Sequence, residues 1–266
     1  MGDETRVITG LGNPGPDYRG HRHNVGFMTL DHLADRWGRS WIEDTHCTWS
    51  EGLKDGRTVF LVKPLNYMNR SGSALVNWAS RMGLVLDGSV PAEPLTEVPG
   101  ETAGPAPNPE VRPLVVCDDL NLPLGSVRLR AGGRSGGQNG LASVIEALGG
   151  QEFPRLRLGV APAGAIVDPA DWADFVLRDF AEDETAAAAT MIDRGAEALE
   201  CWLAEGLEAA VSRFNRRIRP AIDPEVHDHL SLLQIDKLRP YSALVAGNNI
   251  SAIKGGHQAP GSRDYA

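Results

Sequence analysis

Short, continuously apolar runs alternate along the chain with stretches whose apolar residues return every three or four positions. RVITGLG reads as a buried strand ending in glycines, and Phe27, Leu30, Leu33, Ala34 and Trp37 then recur at helical spacing, which predicts a helix over 25–37. TWSEGLKDGRTVFLVKP reads as two strands around an Asp-Gly turn at Asp55 and Gly56. Ser71, a good N-cap, predicts a helix from there to about Met82. PLVVCDD is another apolar strand, SVRLRA alternates with period two, LASVIEALG is helical and RLRLGVA is a further strand. Residues Asp183 to Phe214 predict two helices separated near Gly206. This alternation predicts an α/β fold, a single domain with a mixed, mostly parallel sheet sandwiched by helices.

Two stretches depart from the pattern. Residues 86–113 hold seven of the eighteen prolines and five carboxylates against one arginine, which predicts an exposed loop or disordered insertion. The tail, 216–266, opens on Arg216, Arg217 and Arg219 and shows little periodicity beyond a short apolar stretch around Leu230–Leu238. It is expected to be a flexible extension of a domain spanning 1–215, and there is no internal repeat.

Composition narrows the classes. With 42% apolar and 23% charged residues over 266 positions, the chain suits a soluble globular protein. A net charge of −9 excludes a generally basic surface, so any nucleic-acid contact needs a local patch. Cys47, Cys117 and Cys201 are odd in number and form no CxxC pair, which argues for a reducing compartment and against a zinc site or disulfide framework. MGDETRVITG has no apolar run of signal-peptide length and no segment is apolar enough to span a membrane, so a cytosolic location is expected.

The chemistry concentrates in loops after strands. GLGNPG fits GxGxxG, but Pro-Asp-Tyr-Arg-Gly follows where a helix should hold a pyrophosphate, and no strand-end acid appears about 20 residues on. His23 lies in a polar loop between the first strand and helix, where an imidazole of ordinary pKa about 6.5 can accept a proton from water; the bland alternative is a helix cap, and His21 fits that description. Asp118 or Asp119, at the end of the LVVC strand, can orient an imidazole or can cap the following turn. Asn13, Asn69 and Asn139 offer donor and acceptor together, suited to a peptide backbone or an oxyanion, although singly each reads as a turn residue. GRSGG carries the letters of GxSxG but supplies no nucleophile elbow, and HExxH does not occur, so water is the better nucleophile and no metal or cofactor is called for. Arg128 and Arg130 share a strand face with Arg134 close behind, which suits phosphates or a solvated face.

GLGNPGPDYRGHRHNVGF, VKPLNYMNRSG, VVCDDLNLPLGSVRLRAGGRSGGQNGL and FPRLRLGV, in this order, resemble the bacterial-type peptidyl-tRNA hydrolases, and GLEAAVSRFN resembles that family's C-terminal helix. The resemblance covers 5–215 apart from the proline-rich stretch. It implies an esterase that cuts peptide from the tRNA 3′ end without a cofactor, metal or membrane, working as a monomer. It also implies His23 as base, Asp118 as its orienting partner, and Asn13 as the residue that tells blocked from free aminoacyl-tRNA. Tyr18, Tyr67, Asn69 and Asn139 match substrate-contacting positions, Met68 lines the peptide site, Arg128 and Arg130 match tRNA-phosphate positions, and Arg157 is a further candidate for such a contact. Gln138 departs from the histidine many relatives carry there. A catalytically silent RNA- or partner-binding homologue is the alternative, because fold alone does not decide function. With few arginines on an acidic chain, tRNA affinity is expected to fall less steeply with salt than for a strongly basic relative. A filter-binding titration that drops sharply between low and moderate salt contradicts this.

Overall fold

The computed structural model describes residues 4–86, 111–162 and 167–216, so the expectations for 87–110 and 217–266 lie outside the described residues. The strands are β1 (Thr5–Gly10), β2 (Ile42–Glu43), β3 (Cys47–Lys54), β4 (Arg57–Pro64), β5 (Leu114–Pro123), β6 (Val127–Arg130) and β7 (Arg155–Ala161). They form one sheet in the order β2-β3-β4-β1-β5-β7-β6. The central four, β4-β1-β5-β7, run parallel, while β2, β3 and β6 add antiparallel strands at the two edges. The helices are α1 (Val25–Arg36), α2 (Ser71–Arg81), α3 (Asn139–Ala147), α4 (Trp172–Val176), α5 (Thr185–Glu205) and α6 (Leu207–Phe214).

The central strands read as unbroken apolar runs because both of their faces are covered. Ile8, Leu61, Leu114 and Val116 pack towards α1, α5 and α6. Their neighbours Val7, Phe60, Val62 and Val115 pack towards α2 and α3. The hairpin β3–β4 turns at Asp55 and Gly56, both at positive φ, the backbone that a two-residue turn matched to strand twist requires.

The start of α1 is pressed onto the sheet with no side chain between. A Cβ on Gly26 would sit 2.5 Å from the Leu11 carbonyl oxygen and 2.6 Å from that of Val116, and one on Gly10 would meet Gly26 at 2.6 Å. At the far edge, Asn215 closes β6 as a strand would. Its side chain accepts from the Leu129 N–H at 2.7 Å and donates to the Leu129 carbonyl at 2.9 Å.

Several details differ from the sequence reading. Ser71 is the first helical residue and not the cap; its hydroxyl donates back to the Met68 carbonyl, closing a 3-10 turn over Met68–Arg70. The body reaches further into the proline-rich stretch than expected, because Leu86 and Val111 are buried and bridge one another. The short β2 and α4 were not foreseen; two and five residues are too few to show a period. Among the described residues no helix is long and apolar enough to cross a membrane.

Trp78 of α2 is fully buried against Phe60, ring centroids 5.4 Å apart, and its indole N–H has no partner among the described residues. Trp78→Ala is expected to cost about 3–5 kcal/mol in urea denaturation. Trp78→Phe should cost less than half of that, since it keeps most of the apolar volume and removes an unpaired donor.

Candidate active site

The carboxyl ends of β1, β4, β5 and β7 lie along one edge of the sheet. The chain leaves β1 towards β4, then crosses back to β5 on the other side of β1, so the loops after β1 and β5 diverge and leave a crevice. A cleft of about 410 Å³ occupies this place, lined by Asn13, His23, Met68, Asp118 and Gln138 among others.

The pleat of β5 sends its two adjacent aspartates to opposite faces. Asp118 meets the turn Arg22–Asn24 that leads into α1, and its Oδ2 lies 2.9 Å from His23 Nδ1. Asp119 faces the other way. It accepts from the Asn121 N–H at 2.9 Å and lies 2.9 Å from Arg157 Nη2, close enough for an ion pair but out of line for a hydrogen bond. Asp119 therefore does the turn work and Asp118 holds the imidazole. The carboxylate must receive Nδ1–H, which leaves His23 Nε2, with no partner among the described residues, as the acceptor facing the cleft. Burial alone pulls the imidazole pKa down, but the charge and hydrogen bond of Asp118 outweigh it, and His23 titrates above its ordinary value.

Gln138 holds the other carboxylate oxygen. Its Nε2 donates to Asp118 Oδ1 at 3.0 Å, while its Oε1 caps α3 by accepting from the Leu141 N–H. These opposed partners fix which way the amide points. Asn13 is fixed likewise: Oδ1 accepts from the Met68 N–H at 2.9 Å, which turns its NH2 group out at the cleft as a donor without a partner among the described residues. Asn24 locks the Asn13 backbone by a reciprocal pair, both bonds at 2.9 Å.

Of the remaining expected residues, Tyr67, Met68, Asn69, Asn139 and Arg157 line the cleft. Asn69 and Asn139 are exposed, and Asn139 opens α3. Tyr18 stands edge-on to Tyr67 at 6.5 Å and to His21 at 5.3 Å. Arg128 and Arg130 lie away from the cleft. They share a sheet face with Arg157 and Arg155, opposite them in register. Arg128 donates to the Asn215 carbonyl, Arg155 is buried on the carbonyls of Gly133 and Gln151, and Arg130 is exposed. Among the described residues, no group of three or more His, Cys, Asp or Glu side chains could hold a metal ion, and all three cysteines are buried and unpaired.

Sequence reasoning missed one whole wall of the cleft: Pro169, Ala170, Trp172, Ala173, Val176 and Leu177. It also missed Arg22 and Asn24 as supports. The only signal was the polar run HRHN, in which Arg22 and Asn24 flank His23.

A base held by a carboxylate, with fixed amide donors beside it at the carboxyl edge of a parallel sheet, is the equipment of an enzyme that directs water at a carbonyl. The comparisons say which. The pattern of the peptidyl-tRNA hydrolase family matches residues 7–89 and 106–221, and the chain belongs to that family. It is 40% identical to a peptidyl-tRNA hydrolase of Synechococcus sp. (strain JA-2-3B'a(2-13)), over 79% of this chain and 83% of the relative. It is 38% identical to that of Gemmatimonas aurantiaca, over 79% of this chain and the whole relative. The crystal structure of the peptidyl-tRNA hydrolase from Acinetobacter baumannii superposes with a TM-score of 0.64 at 27% identity, covering 80% of this chain and 95% of that one.

Because the native pKa of His23 is raised, protonation of the ring favours the folded state. That stabilisation is complete below the unfolded value of about 6.5 and is lost as pH rises through the native value. An NMR titration is expected to place His23 above 6.5, and Asp118→Asn, which leaves burial unopposed, to bring it below. A His23 midpoint that Asp118→Asn leaves in place contradicts the assignment of cause.

Proposed function

We propose that this protein hydrolyses the ester between peptide and tRNA in peptidyl-tRNA, with His23 as general base and Asp118 as its orienting carboxylate. The observation that carries the reading is the 2.9 Å contact from His23 Nδ1 to Asp118, which leaves Nε2 open to the cleft. An activated ester needs no cofactor; a positioned water, a base and an oxyanion donor suffice. Nε2 takes the proton of the attacking water, and the carboxylate stabilises the imidazolium that forms. The tetrahedral intermediate then collapses, and the proton passes to the departing ribose oxygen.

The amides divide by rigidity. Asn13 is held from two sides and is the better preorganised donor for the developing oxyanion. Asn69 and Asn139, exposed and with no side-chain hydrogen bond among the described residues, suit contacts that form with the substrate. Both carboxylates at the cleft already have partners, so a free α-ammonium would be desolvated there without one, whereas an acylated nitrogen fits among amides. This spares ordinary aminoacyl-tRNA. Tyr18, Tyr67 and Met68 belong with the substrate contacts, and Arg130, with Arg128 and Arg157 partly engaged, with the phosphates. A monomeric, cytosolic enzyme is part of the same proposal: one chain supplies every residue of the site, and its three cysteines are unpaired.

The test is release of N-acetylamino acid from charged tRNA beside the unblocked aminoacyl-tRNA. Cleavage of the first alone is expected; equal cleavage of both removes the selectivity argument. His23→Ala should lose turnover by at least about a hundredfold while tRNA binding stays within a few-fold. Wild-type turnover in that variant refutes the base.

A further inference from the structure

Arg22 does not line the cleft, yet its side chain is nine-tenths buried directly before the base. Everything it holds belongs to the wall that the sequence did not reveal, or to the segment just after it. Nη1 donates to the carbonyls of Asp179 at 2.7 Å, Arg178 at 3.2 Å and, at the limit of 3.5 Å, Phe175. Nη2 pairs with Glu184, and the guanidinium lies 4.3 Å over the Phe175 ring and 5.4 Å over that of Phe180. Its own backbone N–H donates to the Arg178 carbonyl at 3.0 Å, and the preceding His21 bridges Asp179.

The wall is fastened on its other side by Trp172. A Cβ on Gly137 would lie 2.7 Å from the indole ring, and the indole N–H donates to the Val167 carbonyl at 3.1 Å. Gly137 precedes Gln138, which holds Asp118. One wall therefore touches the turn that carries the base and the loop that holds the base's carboxylate.

A buried ion pair is weak evidence for stability, because apolar groups of similar volume often serve as well. A guanidinium fork on several carbonyls of one short segment does something apolar packing does not: it specifies a single placement. We propose that Arg22 is a positioning residue for the hydrolysis, locking the wall around Trp172–Asp179 to the turn that carries His23, so that the wall and the base are aligned together. The inference rests on the functional reading above.

Arg22→Lys keeps the charge and loses the fork. With N-acetylaminoacyl-tRNA, well below the melting temperature, kcat is expected to fall by roughly ten- to a hundredfold, because a misplaced base is costly. KM should rise only a few-fold. The acidic limb of the pH profile should keep its midpoint, since Asp118 still holds His23. Should Arg22→Lys fail to fold, Glu184→Gln loosens the same anchor and should show the same split with a smaller loss. Trp172→Ala and Arg22→Lys together should lose less than the product of their separate effects, since both free one wall. A merely structural role lowers the melting temperature and leaves kcat and KM within twofold; that result, or strictly multiplicative effects, overturns the proposal. Wild-type protein that cleaves nothing brings down the functional reading and this inference with it, whereas wild-type turnover with unaltered Arg22→Lys brings down the inference alone.

Discussion

The backbone contact between the first turn of α1 and the ends of β1 and β5 governs the rest of the site. Helices normally stand off a sheet by the thickness of two layers of side chains. At Gly10 and Gly26 there are none, and any Cβ would lie within 2.6 Å of a main-chain oxygen. The helix start is thereby lowered onto β5, and the turn just before it, Arg22–Asn24, is carried to the strand end that bears Asp118. An imidazole and a carboxylate 95 residues apart can then share a hydrogen bond. An alanine at Gly26 would lift the turn and with it the base.

Once the pair is in contact, its chemistry follows from a competition of burial against charge. A buried imidazole without a partner would stay neutral but poorly oriented, and one beside an unsupported carboxylate could turn with it. Here the carboxylate is held on both oxygens, by His23 on one and Gln138 on the other. Gln138 takes part without titrating, so among the groups bonded to Asp118 only His23 changes charge near neutrality. The same economy of motion applies to Asn13, fixed by Asn24 and by the Met68 N–H. A site whose dipoles are already oriented need not reorganise as the oxyanion forms.

How much of this the sequence revealed depends on the range of the interaction that decides each feature. The Asp-Gly hairpin, the central strands and the helices α1, α2, α3, α5 and α6 rest on local turn chemistry and periodicity, and were legible with small errors at the ends. Ser71 was misassigned because its hydroxyl looks back to Met68, a contact only the folded turn creates. Asp118 and Asp119 are identical as letters; strand pleat and the neighbours on each face separate them. Arg22 gave no sign of its role, because each of its partners lies more than 150 residues further along the chain. The wall around Trp172 was invisible for the same reason.

Charge shows the same division between composition and structure. Net charge −9 predicts weak attraction for a polyanion, and the arginines clustered in sequence promised to offset it. Folding spends several of them internally: Arg155 on carbonyls, Arg157 on Asp119, Arg128 on Asn215. Arg130 and Arg134 remain exposed without an ion-pair partner among the described residues, on the strand and the glycine loop that lead into Gln138. Arg19, Arg70, Arg178 and Arg216 are likewise exposed without an ion-pair partner among the described residues, so the available positive charge stands as single residues on several elements of an acidic chain. Single charges of this kind suit contacts to a few phosphates better than the neutralisation of a long duplex, and a substrate whose reactive bond sits at a terminus needs no more than a few.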